Sequence, residues 1–362
     1  MSRTTVDKAN PETVASARVV VLHTALRKRD DVARLSKLLG DDRRRTETIY
    51  AAVGSDRAAV VQAEALGIGC IVPDFRPPED VVSEVQAVLS RKMGKRLANC
   101  SKTVARAVES GDALFRQLGV AMRANKPLRL DAVGLVAKAI GEATLQEGLS
   151  GWLEAVQLHH SGTCRHILTV AGHACAFGRF LDMHESDVAM LAQASLLHDV
   201  GKLFIPISVL EKSGPLTDTE RAAINTHCER GAAALVSGGV TDQHIIAAVR
   251  DHHEYLDGSG YPRGIKQARI GPLTRMVTIA DIYSALTEER AYKAAMTPRQ
   301  AIGVMLDLKG KIDERLFAEF RSMVLLPVFE AKRRPAGHAG GKRKPCLRDG
   351  CHPLDAIRDS AA

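Results

Sequence analysis

The chain has 362 residues, 45% hydrophobic and 25% charged, with a formal net charge of +8. That balance is the one of a soluble globular chain with room for two domains; no apolar run reaches the ~18 residues of a membrane span, and the start, MSRTTVDKANPE, lacks a signal peptide's apolar core. Five of the eight net charges sit in residues 331–362, where eight Lys/Arg face three Asp/Glu, so the excess describes a tail and argues against specific nucleic-acid binding.

In chain order, ARVVVLHT (17–24) is a short β-branched run and reads as a buried strand. ALRKRDDVARLSKLLGD follows with helical apolar spacing. TETIYAAVG (46–54) and CIVPDF are two more strand candidates, each followed by a helical segment, DRAAVVQAEALGIG and PPEDVVSEVQAVLSRK. Strands alternating with helices predict a small parallel α/β layer. From about 95 to 325 the pattern becomes helical, with i, i+3, i+4 apolar spacing in LDAVGLVAKAIGEATLQEG, ILTVAGHACAFGRFLDM, DVAMLAQASLLHD, DTERAAINTHCERGAAALV, DQHIIAAVRDHHE, LTRMVTIADIYSALT and TPRQAIGVMLDLKG. These predict an all-α domain. Residues 331–362, rich in Gly, Pro and charge, read as a basic disordered end. The seven cysteines lack a framework spacing and read as free thiols in a reducing, cytoplasmic compartment. Cys346, Cys351 and His352 also lack the paired spacing of a metal knuckle.

Polar residues interrupt the apolar helical faces. His166 lies in RHILTVAGHACAF, His198 and Asp199 close AMLAQASLLHD, His227 lies in NTHCERG, His252 and His253 end IIAAVRDHHE, and Asp281 sits inside MVTIADIYSAL. A buried unpaired carboxylate is expensive to desolvate, and a divalent cation relieves that cost. For Asp199 alone, an ion pair with Lys202 would serve as well. Five histidines and two aspartates on apolar faces are harder to explain in a core that should prefer Leu and Ile.

HDVGK (198–202), the later His227, HHEYLDGSGYP (252–262) and Asp281 together resemble the HD-GYP family, metal-dependent phosphodiesterases of cyclic di-GMP within the HD superfamily. The resemblance covers roughly 150–325. It implies that His166, His198, Asp199 and Asp281 form one metal site and that His227, His252 and His253 form a second, with Asp199 bridging. The cofactors implied are two divalent ions, iron or manganese, which would activate a water and clamp the phosphate. Asp199 and Lys202 are the expected catalytic residues. Arg290 and Lys293, in ERAYK, would bind substrate with the Gly260-Tyr261-Pro262 turn. Adjacent histidines point about 100° apart on a helix, so His252 and His253 can share an ion only near a helix end; Gly258 and Gly260 are expected to release the chain there with positive φ. Gly162 stands where members with a third metal carry Glu, and Ser284 where a second Asp is frequent. His159 and His160 are placed in the surroundings of the site or on the surface; His173, His184 and His244 are not expected to be ligands.

Residues 1–95 loosely resemble a response-regulator receiver domain, with Asp74 and Phe75 where the family's late Lys is expected. This implies a receiver-like docking module that is not phosphorylated. The expected organisation is therefore an α/β module over 1–95, linking helices over 96–150, an all-α HD-type phosphodiesterase domain over 151–330, and the tail. Hydrolysis of cyclic di-GMP to pGpG, and onward to GMP, is the expected reaction. The alternatives are an HD-type phosphohydrolase of another nucleotide and a catalytically weak cyclic di-GMP signalling module. Expected partners are cyclic di-GMP, signalling proteins such as a diguanylate cyclase, and a second copy of the chain.

Overall fold

The computed structural model describes residues 19–24, 29–40, 48–52, 57–68, 70–73, 78–124, 126–128, 130–159, 161–210, 214–289, 294–326 and 347–358, with a few isolated positions besides. The chain divides into two compact units, Met1–Arg96 and Leu97–Ala362.

In the first unit, β1 (Val20–Thr24), β2 (Thr48–Ala52) and β3 (Cys70–Pro73) form a parallel sheet in the order β1-β2-β3. Val20 is opposite Thr48 and Ile49 opposite Cys70. The connections are α1 (Arg29–Leu39) and α2 (Arg57–Ala65), and α3 (Pro78–Leu97) follows β3. Helix α1 opens on Asp30 and Asp31 and stops at Gly40, whose φ of 63° is the left-handed cap that glycine adopts without penalty. Side chains alternate across the sheet. Tyr50 packs with Leu22, Leu35, Leu39, Ala59 and Ala63 on one face, while Ile49 packs with Val72 and Val88 on the other. A sheet buried on both faces needs the β-branched runs read from the sequence.

The second unit is helical. It comprises α4 (Lys102–Arg123), α5 (Leu130–Gln146), α6 (Gly148–Gln157), α7 (Gly162–Phe180), α8 (Glu185–Leu197), a 3-10 turn (Val200–Phe204), α9 (Ile207–Leu210), α10 (Asp218–Asn225), α11 (His227–Ser237), α12 (Gln243–Asp251), α13 (Pro272–Thr287), α14 (Pro298–Leu306), α15 (Glu314–Leu325) and α16 (Pro353–Arg358). Helix α7 is the centre: it packs against α4, α5, α6, α8, α13 and α15. Its start is set by Ser161, whose hydroxyl accepts from the Cys164 amide at 3.3 Å. Gly172 lets Trp152 lie against the α7 backbone, because a Cβ there would meet the indole at 2.3 Å, and the indole N–H donates to Leu168 O at 3.1 Å.

Two expectations change here. Residues 96–150 are not a separate linking segment; α4 and α5 pack on α7, and their apolar faces complete the same core. The end of the chain is not disordered throughout. Leu347 is fully buried, and His352 reaches Asp313 at 3.2 Å while Arg315 meets Asp355 at 2.8 Å. The basic stretch 331–346, with Cys346, lies outside the described residues. No helix among the described residues is long and apolar enough to cross a membrane.

Candidate metal centre

Five helices and the 3-10 turn deliver their polar residues to one point. His166 comes from the first half of α7, His198 caps the C-terminus of α8, Asp199 opens the 3-10 turn, His227 opens α11, His252 caps α12, and Asp281 lies within α13. Helix ends dominate because a terminal histidine can turn its Nδ1–H onto an unused carbonyl of the last turn. Three do so: His198 onto Ser195 O at 2.7 Å, His227 onto Ile224 O at 2.7 Å and His252 onto Val249 O at 2.9 Å. Each is thereby fixed as the tautomer whose bare Nε2 faces the centre.

Asp199 lies among them, 1% exposed. Its Oδ2 is 3.4 Å from His198 Nε2 and 3.6 Å from His166 Nε2; its Oδ1 is 3.2 Å from His227 Nε2 and 3.8 Å from His252 Nε2. The two carboxylate oxygens thus face two different histidine pairs. Asp281 Oδ1 takes a 2.9 Å contact from His166 Nε2, and its Oδ2 is 3.7 Å from His253 Nδ1. Burial alone would push Asp199 up, but the Lys202 ammonium and the His198 and His227 imidazoles outweigh it and hold the carboxyl well below its usual range. Asp281 is likewise held down against its burial, chiefly by His166. Burial and the neighbouring imidazoles push His252 well down, and burial brings His253 to about 4, so both are neutral.

These residues suit a divalent cation. His198 Nε2 and Asp199 Oδ1 are buried without a hydrogen-bond partner. The Nε2 atoms of His227 and His252 approach to 3.3 Å while both Nδ1–H groups are spent on backbone carbonyls, an arrangement that a cation between them would reconcile. Lys202 Nζ sits 2.5 Å from Asp199 Oδ2 with its side chain 20% exposed, so it both pairs with Asp199 and borders solvent.

Helix α12 ends at Asp251, and Thr278 Oγ1 donates to His252 O at 2.8 Å, which anchors the histidine pair where the helix stops. The following turn is pinned by buried Glu254, which accepts from the Arg263 amide at 2.5 Å and the Ile265 amide at 3.2 Å, and by Arg263, whose guanidinium bonds Asp251 at 2.7 Å. Gly258 has a φ of 86°, as expected. Gly260 does not have positive φ; its constraint is steric, since a Cβ would meet Tyr255 N at 2.4 Å and His253 O at 2.5 Å. Tyr261 stacks 4.8 Å from the His253 ring, and the peptide preceding Pro262 is cis.

Arg290, Lys293 and His160 lie outside the described residues. His159 is buried away from the histidine cluster, with Nε2 3.0 Å from Asp112. His173 bonds Ser284 at 2.9 Å, which occupies the position of the missing second Asp. Three further features were not expected at the site, although the last, Gly201, lies within HDVGK. Glu288, in TEER, is buried with one oxygen accepting from Arg165 Nε at 2.9 Å and the other 3.3 Å from His166 Nδ1. Cys228 is fully buried, its Sγ 3.4 Å from His227 Nε2. Gly201 lets the 3-10 turn touch α11: a Cβ there would meet His227 O at 1.9 Å.

Residues 152–316 match the HD domain family. The HDVGK and HHEYLDGSGYP motifs within this region resemble those of the HD-GYP type. Among curated relatives, the chain is 33% identical over 179 residues to the cyclic di-GMP phosphodiesterase PA4108 of Pseudomonas aeruginosa, covering 49% of this chain and 43% of the relative. It is 37% identical over 169 residues to the 3′3′-cGAMP-specific phosphodiesterase 3 of Vibrio cholerae, covering 46% and 36%. It is 33% identical over 171 residues to the cyclic di-GMP phosphodiesterase response regulator RpfG of Xanthomonas campestris pv. campestris, covering 46% and 44%. The matched region spans less than half the length of each of these relatives.

Proposed function

We propose that the chain is a metal-dependent phosphodiesterase that hydrolyses cyclic di-GMP to pGpG. One water is consumed: its oxygen joins phosphorus, the P–O3′ bond breaks, and O3′ leaves with a proton. The observation that carries this reading is Asp199, a buried carboxylate whose two oxygens each face a different pair of bare imidazole nitrogens. His166, His198, Asp199 and Asp281 would hold one divalent ion, and His227, His252 and His253 with Asp199 the other, the pair being iron or manganese. Bound there, the ions would neutralise the phosphate and lower the pKa of the attacking water.

The chain's own residues do the rest. Imidazoles locked by their Nδ1–H bonds stay oriented with Nε2 inward. Lys202, at the solvent border of the cluster, adds positive charge where a phosphoryl oxygen would rest. The turn Gly260-Tyr261-Pro262, held by Glu254 and Arg263, walls the site beside His253. Arg290 and Lys293 remain the proposed grips on phosphate or guanine. The first unit is read as a receiver-like docking module for signalling proteins such as a diguanylate cyclase.

A second substrate, 3′3′-cGAMP, is favoured by the Vibrio cholerae relative named for it. The experiment is turnover by iron- and manganese-loaded protein with each cyclic dinucleotide, products separated by chromatography. Release of pGpG from cyclic di-GMP, with or without later GMP, is the expected result. Cleavage of 3′3′-cGAMP alone would change the substrate. Cleavage of simple nucleotides with neither cyclic dinucleotide touched would leave only the generic phosphohydrolase.

A further inference from the structure

The half of the centre built from His227, His252 and His253 contains a fourth donor. Ligating atoms of these three residues and of Cys228 lie within 4.8 Å of one another. A tetrahedral ion with bonds of ~2.0–2.1 Å to nitrogen and ~2.3 Å to sulfur sets its nitrogens about 3.3 Å apart and a nitrogen and sulfur about 3.6 Å apart. The His227 Nε2–His252 Nε2 distance is 3.3 Å, and Cys228 Sγ lies 3.4 Å from His227 Nε2.

A plain core cysteine explains less. Its single S–H could satisfy His227 Nε2, but His252 Nε2 would still face that nitrogen lone pair to lone pair, because His252 spends its own ring proton on Val249 O. Asp199 Oδ1, buried without a hydrogen-bond partner, points to the same place, 3.2 Å from His227 Nε2. One cation answers all of these groups at once.

We propose that Cys228 is a sulfur ligand of the ion held by His227, His252 and His253, so that this half of the centre selects a thiophilic divalent ion such as zinc or ferrous iron. The inference rests on the metal reading of the site and deepens it: a nitrogen–sulfur donor set disfavours manganese and magnesium, which prefer oxygen. The two halves then differ in character, since the other half offers His166, His198 and two carboxylates.

The test uses full-length protein, chelator-stripped and reloaded with cobalt(II) under anaerobic, reducing conditions. The expected result is about two cobalt ions per chain and a thiolate-to-cobalt charge-transfer band in the near ultraviolet. Cys228→Ala and Cys228→Ser should lose the band and weaken binding of one cobalt by at least about tenfold, the lower end of what even supporting residues contribute. X-ray absorption on wild-type protein needs no variant, and should show one sulfur scatterer at ~2.3 Å in a two-metal average. Cobalt loading with only nitrogen and oxygen neighbours, or a band that survives Cys228→Ala, overturns the sulfur ligand and leaves the phosphodiesterase reading intact. Failure of the wild-type protein to bind cobalt at all overturns both.

Discussion

Asp199 is the residue on which the centre turns. Removing it leaves four imidazole nitrogens without their shared counter-charge, and Lys202 without its partner. Asp199→Ala should bind one metal or fewer per chain and abolish turnover, with helix content near normal; metal analysis beside circular dichroism reads both. Gly201 is as restrictive for a different reason. It is where the 3-10 turn carrying Asp199 touches the His227 carbonyl, so Gly201→Ala must push the two apart. Overpacking of this kind costs roughly 1–3 kcal/mol, and denaturant unfolding should show it together with reduced metal content. His173 gives the pH dependence outside the metal cluster. Burial pushes it down to about 4, below the unfolded value of about 6.5. Between those values the unfolded chain binds more protons, so stability is complete above pH ~6.5 and declines as pH falls towards 4. The loss is bounded at about 3 kcal/mol. His173→Leu should flatten the decline in thermal midpoint of chelator-treated protein between pH 7 and 4; an unchanged slope would assign it to other groups.

At the scale of elements, the centre is made of helix ends. α8, α11 and α12 each terminate or begin on a ligand candidate, and each of these histidines is oriented by the backbone carbonyl three residues before it. α15 shows the same economy in a structural role. Asp313 caps it, accepting from the Arg315 and Leu316 amides at 3.1 Å each, and also meets Arg275 at 2.9 Å and His352 at 3.2 Å. Burial would raise this carboxyl, but His352, the Leu316 amide and Arg275 outweigh it and hold it below the usual carboxylate range. A carboxyl lowered on folding stabilises fully above its unfolded value of about 3.9 and loses that contribution as pH falls through its folded value. Asp313→Ala should therefore destabilise at neutral pH by at least the ~0.5–2 kcal/mol of a lost cap, and the deficit should shrink in acid. Deleting 347–362 should cost less, since it removes His352 and buried Leu347 but leaves the cap in place; equal losses would move the weight from the cap to the docked C-terminal segment.

At the scale of the molecule, all described ligand candidates lie in the unit Leu97–Ala362, including α4 and α5, which complete its core. Residues 97–362 made alone should turn over cyclic di-GMP at near full rate, and acetyl phosphate should neither label nor activate the full chain. Phosphate incorporation within 1–96 would overturn the docking-module reading. A fragment starting at 151 should instead be unstable, because it strips α7 of the helices that bury it. The sequence by itself determined the parallel α/β beginning, the helical remainder and the identities of the histidines and aspartates at the centre. These rest on local signals: alternation of strands and helices, apolar spacing, and polar residues set in apolar faces at HDVGK and HHEYLDGSGYP. Only the tertiary structure decided that α4 and α5 belong to the helical unit, that Leu347 returns to it, that Gly260 is held by crowding, and that Glu288 and Cys228 join the cluster. Each of these depends on which distant segments meet, and a glutamate after Thr287 or a cysteine after His227 looks the same in sequence whether its neighbour in space is water or an imidazole.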